Sequence, residues 1–193
     1  MAYILKIQPI RKQLELEGVM KKILINSCVC LSIVGSSLAV AQDDAAMIAS
    51  AESAGPSVVT ADATIKTPDG RVLREGSNGY TCYPQQEIIG PMCNEAVWDD
   101  LIGAMLSKGE FDADAFSVSY MLAGEGTALG VSNSNPYATQ AESNDWVKEG
   151  AHVMITVPDP AALEGLSTDP NDPVYVMWKG TPYAHIMVKI ASD

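Results

Sequence analysis

Residues Met20–Gln42 decide how much of this chain is left to fold. Met20-Lys21-Lys22 is a short basic start, Ile23 to Val34 a short apolar run, Gly35-Ser36-Ser37-Leu38 a break, and Ala39-Val40-Ala41 a small-residue cleavage site before Gln42. Basic, apolar and small-residue regions in that order make a secretory signal peptide. The apolar run falls short of the ~20 residues that a membrane-spanning helix needs. A signal peptide begins at the N-terminus, so translation is expected to start at Met20. Residues 1–19 then read as a mis-called N-terminal extension, 20–41 as the signal peptide, and the product as periplasmic or secreted.

Removing 41 residues from 193 leaves 152, enough for one domain with a core of its own. The removed part takes five of the twelve basic residues and, among the acids, only Glu15 and Glu17. The mature chain therefore carries 22 acids against 7 bases, a net charge of −15. Nucleic acid is an ill-suited partner, because binding it depends on Lys and Arg neutralising phosphates. An anionic membrane surface is excluded for the same reason. Acidity of this kind keeps an exported protein in solution, and it also attracts cations or a basic partner.

Cys28 and Cys30 leave with the signal peptide, and Cys82 and Cys93 remain. In an oxidising compartment an isolated pair at close spacing reads as a disulfide. Closing a loop of that length contributes ~2–3 kcal/mol on the chain-entropy account. The rival use, two thiolates on zinc, lacks the C-x2-C spacing of such sites.

Residues 42–62 are rich in Ala, Ser, Asp and Glu and read as a mobile N-terminal arm with a short helix near Asp44–Ala54. The exported domain then spans 63–193. Pro68-Asp69-Gly70 between Ala63–Thr67 and Arg71–Arg74 is a hairpin signal, since Asp-Gly supplies positive φ. Asn94 is expected to open the one convincing helix, with Val97, Trp98, Leu101, Ile102, Met105 and Leu106 at helical spacing and Lys108-Gly109 at its end. Strands are expected at 80–83, 116–122, 151–157, 174–178 and 183–190. A short helix with Asp159 as cap and Pro160 in its first turn lies between the third and fourth of these. Residues 123–144 form a long loop, a length that marks function or mobility. The fold class is α+β: a mostly antiparallel sheet, one main amphipathic helix and long loops.

Familiar motifs fail on inspection. Gly124-Glu125-Gly126-Thr127-Ala128-Leu129-Gly130 has the wrong spacing for a dinucleotide loop and places Glu125 where pyrophosphate would sit. There is no G-x-S-x-G and no H-E-x-x-H. One constellation carries chemistry. Both histidines of the chain stand in the same pattern, His152-Val153-Met154 and His185-Ile186-Met187, each inside a strand. Side chains alternate along a strand, so His152, Met154 and Thr156 share one face, and Tyr183, His185, Met187 and Lys189 share another. The opposite Val/Ile faces are expected to meet the helix that carries Trp98 and Leu101, which turns the His/Met faces toward solvent or a second thin layer. Imidazole with thioether suits Cu(I), so His152, Met154, His185 and Met187 form a candidate copper site. The rival reading makes Met154, Met177 and Met187 a filling layer and lets the histidines bond to backbone.

Tyr120–Gly124, Ser134-Asn135-Pro136-Tyr137 and Val176–Met187, together with the Cys82/Cys93 pair, give a pattern that resembles a family of uncharacterised exported bacterial proteins of unknown function. The resemblance covers about residues 75–190. It implies one exported domain and carries no catalytic residue across. Three functions follow from the residues: a non-catalytic binding protein for a protein or small-molecule partner, a periplasmic Cu(I)-binding protein using the two His-x-Met strands, and a hydrolase with a His base.

Overall fold

The structure, a computed structural model, describes residues 43–190. The expected extension, signal peptide and cleavage site lie outside the described residues. Residues 45–190 form one compact unit. Among the described residues no helix is long and apolar enough to cross a membrane.

The chain opens with helix α1 (residues 43–52) and a single turn, α2 (Ser57–Thr60). Three-residue strands follow: β1 (Thr64–Lys66), β2 (Val72–Arg74), β3 (Thr81–Tyr83) and β4 (Met92–Asn94). Helix α3 (Ala96–Ser107) leads into β5 (Ser117–Met121), then a small pair, β6 (Val131–Ser132) and β7 (Trp146–Val147). The last strands are β8 (His152–Thr156), β9 (Val174–Met177) and β10 (His185–Lys189), with a 3₁₀ turn at Pro160–Leu163 after β8. Eight strands form one sheet in the order β2-β1-β3-β4-β5-β8-β10-β9. Every pairing is antiparallel except β1 with β3. The α+β class with one main helix and a mostly antiparallel sheet therefore holds.

Several details depart from the expectations. The segment taken as a mobile arm is packed: Ala51 and Ala54 are fully buried beside Ala63, Ile65 and the cystine. Small side chains let this helix lie close to the sheet, and their low hydropathy hid it. Asn94 belongs to β4 and does not cap α3. Its amide donates to Asp99 Oδ1 on α3 at 2.9 Å and its oxygen accepts from Ser119 Oγ on β5, so one end is tied to the helix and the other across the sheet. Glu95 takes the cap position without a side-chain cap bond, because its carboxylate accepts from Val118 N–H and the Tyr80 hydroxyl. Trp98 and Leu101 are buried as expected, whereas Leu106 is 75% exposed. Cys82 and Cys93 face each other across β3 and β4 and are joined as the expected disulfide.

The largest departure concerns the sheet faces. The His/Met faces of β8 and β10 look inward, at α3. Met154, Met187, Tyr175 and Met177 pack with Trp98 and Leu101 in the main core. Val153, Ile155, Ile186 and Val188 are only half-buried on the other side, where Leu163 of the 3₁₀ turn gives partial cover. Methionine is apolar, and a neutral imidazole with one nitrogen bonded to backbone is cheap to bury, so a residue count of Val and Ile does not decide which face wins.

Candidate functional site

Register sets side chains into rows under α3. Ser117 on β5 faces Thr156 on β8, and His185 on β10 faces Met177 on β9. Ile186 pairs with Ile155, which brings His185 beside Thr156 in the same row. The next row runs Asn94, Ser119, Met154, Met187, Tyr175. The third holds Met121, His152 and Lys189. The structure makes β8 and β10 neighbours and so brings the two His-x-Met motifs onto one face. It pairs Met154 directly with Met187 and sets the two histidines on opposite sides of that pair.

Both histidines are about 1% exposed, which corrects the expectation of a solvent-facing layer. Each ring donates to the carbonyl two residues before it: His152 Nδ1 to Gly150 at 2.7 Å and His185 Nδ1 to Tyr183 at 2.9 Å. A carbonyl can only accept, so Nδ1 carries the proton in both and Nε2 carries the lone pair. On antiparallel strands these bonds draw the rings toward opposite ends of the sheet. His185 Nε2 has no hydrogen-bond partner. Its ring sits edge-on to Trp98 and Trp178, with centroids 5.0 and 5.1 Å away. Burial holds the imidazole down at about 4, far below its ordinary range, so it is neutral at physiological pH. Burial also lowers His152, opposed by its Gly150 bond and the nearby Glu149 carboxylate.

A cavity of about 30 Å³ lies against this face. Met92, Met121, Met154, Met177 and Met187 line it, together with both histidines, Trp98 and Trp178. The expected long loop supplies its roof. Glu125 and Val131 reach the cavity from that segment, Val147 and Glu149 follow just after it, and β6 inside it pairs with β7 beyond its end. Trp178 fastens the roof: its backbone N–H donates to Asn133 and its indole N–H to the Ser132 carbonyl, both at 2.8 Å. Gly90 lets the chain close over the near edge. A Cβ there would stand 2.1 Å from the Gly124 carbonyl oxygen, and its N–H donates to buried Glu125 Oε2 at 2.7 Å. Burial raises Glu125 above the usual carboxylate range. Glu149 accepts from the Tyr175 hydroxyl at 2.8 Å and pairs with Lys189 at 3.3 Å.

Compared with known proteins, the chain matches no family model, no curated protein and no solved structure. The site is therefore read from its own chemistry. Among the described residues no three His, Cys, Asp or Glu side chains converge as a metal group. The soft donors that share the cavity wall are methionine thioethers and the two imidazoles, of which His185 Nε2 is fully buried and unpartnered. In both histidines the nitrogen that an orienting carboxylate would hold in a general-base arrangement is bonded to backbone instead. Ser117 Oγ and Thr156 Oγ1, the row-mates of His185, also lack partners. Unpartnered buried polar atoms are rare in folded proteins, and of these three only His185 Nε2 belongs to a residue that lines the cavity.

The sequence reading gave Met177 only a filling role and left Trp178 and the roof residues out of the site. Alternation along Val174–Met177 does put Met177 and Tyr175 on one face, but only the register of β9 against β10 brings Met177 opposite His185.

Proposed function

We propose that this protein is an exported, non-catalytic binding domain that takes a small, soft ligand into the methionine-lined cavity. The observation that carries the reading is the unpartnered Nε2 of His185 in a largely apolar, methionine-rich wall. A buried lone pair without a protein donor is a position that a soft ligand can satisfy once neighbouring side chains give way. The start of the sequence and the Cys82–Cys93 disulfide both support an oxidising compartment outside the cytoplasm. A cavity of about 30 Å³ has room for a small ligand.

The test is methyl NMR on the mature protein with labelled methionines, using xenon and silver(I) as size-matched soft probes. The methyls of Met154, Met177 and Met187 should shift, while Met47 and Met105, away from the cavity, stay in place. Cavity methyls unmoved by both probes would overturn the reading.

A further inference from the structure

We propose that the ligand is a single Cu(I) ion, bound by His185 Nε2 and the thioethers of Met154, Met177 and Met187. The proposal rests on the binding reading above and names its ligand. It differs from the four residues read off the sequence, because His152 is released from the donor set and Met177 enters it.

The imidazole is prepared as a metal-bound histidine is. Such residues donate the non-ligating N–H to a carbonyl or carboxylate, which fixes the tautomer and aims the other nitrogen. His185 does this through Tyr183, and its free Nε2 is unpartnered in a fully buried position. Register then supplies the sulfurs. Met177 stands directly opposite His185, Met187 lies two residues along the same strand face, and Met154 faces Met187. Directly opposed side chains start ~5 Å apart at Cβ, and methionine has three rotatable bonds with which to close on a centre. His152 lies beyond the methionine pair, four residues of strand from His185's end of the ladder, with its ring drawn away toward Gly150.

Softness selects the ion. Thioether and imidazole suit Cu(I), whereas zinc favours thiolate, imidazole and carboxylate, and calcium and magnesium favour oxygen. Trp98 and Trp178 flank the imidazole edge-on and fix the ring's position. Neutral donors leave the ion its positive charge. Buried Glu125, in the roof of the same cavity, and the acidity of the whole chain favour a cation there.

The experiment titrates the mature, disulfide-bonded protein with Cu(I) under nitrogen. Ascorbate keeps copper reduced without opening the disulfide, and a Cu(I) chelator competes. One equivalent should be retained, and copper-edge X-ray absorption should show sulfur and nitrogen neighbours. Met177→Leu and Met187→Leu keep volume and remove only the sulfur, so they should fold normally and weaken binding roughly tenfold or more each. His152→Asn should leave affinity within about twofold, since its ring makes no bond to the ion. Wild-type affinity in the triple Met154→Leu/Met177→Leu/Met187→Leu variant would overturn the site, as would equal losses from His152→Asn and Met177→Leu. If Cu(I) is not retained while xenon still shifts the cavity methyls, copper falls and the binding reading stands. If neither Cu(I), silver(I) nor xenon enters, both fall.

Discussion

At one end of the sheet the strands are three residues long and the side chains between them and α1 are small. At the other end β5, β8 and β10 run five residues each and carry large ones. The small end packs Ala51, Ala54, Ala63 and Ile65 around the cystine. The large end packs Trp98, Leu101, Tyr175, Trp178 and the methionines. Short ladders with small side chains bury little apolar surface, so a covalent link between β3 and β4 stands in for packing. Long ladders and indoles bury enough to hold themselves. That surplus lets the large end carry a void and three unpartnered polar atoms, which a marginal core would not tolerate. A ligand site belongs where stability is in excess.

The strongest challenge to this contrast is Trp98→Ala. The indole is fully buried, donates to the Ser117 carbonyl at 3.0 Å and packs edge-on to His185. Its loss should cost ~3–5 kcal/mol in denaturant unfolding. A change under about 1 kcal/mol would show that the large end does not depend on its packing. Cys82→Ser should cost somewhat less, about 3 kcal/mol for a loop of separation 11. The loss should appear as faster hydrogen exchange in β1–β4, with β8 and β10 still protected. Uniform loss across both ends would mean the two are one cooperative unit and would erase the comparison.

The two ends were unequally legible. The Asp69-Gly70 hairpin, the disulfide and the alternation of β5, β8 and β10 could be read directly, because each rests on local chemistry. The packing of α1 could not, since alanines signal neither burial nor exposure. The face of β8 and β10 that turns inward was misread for a related reason. Val and Ile outrank His and Met on any hydropathy count, yet the helix bearing Trp98 covers the His/Met side. Which side a helix covers depends on the connection from β4 through α3 to β5, a property of topology that no single strand contains. The same holds for Met177, whose neighbour His185 comes from the register of two strands.

Acidification should loosen the large end selectively in metal-free protein. His185 is lowered from 6.5 to about 4 by burial, so between those values the unfolded chain binds a proton that the folded chain refuses. Stability from this group is fully present above 6.5 and is lost as pH falls toward 4. At pH 5 the loss should reach about 2 kcal/mol. His152, also lowered, adds in the same direction, while Glu125 and Asp99, raised by burial, oppose it. The informative quantity is therefore the difference in pH slope between wild type and His185→Gln. Equal slopes would mean that His185 titrates normally in the folded protein and that its pocket is wet.

The smallest expected effect is the most discriminating. Met177→Leu in metal-free protein should change stability by under about 1.5 kcal/mol, because the two side chains match in volume and in apolar character. Leucine has better-defined rotamers, so a core built for packing alone would accept it or gain from it. The same reasoning applies to Met154 and Met187, which are 6% and 2% exposed. If thermal unfolding of the triple leucine variant matches wild type, packing does not explain why methionine stands at three positions around one unpartnered imidazole nitrogen. If the triple variant is destabilised by several kcal/mol instead, the thioethers fill an irregular space that leucine cannot. The methionines would then be structural, and the large end would be a core like the small one, differing only in scale.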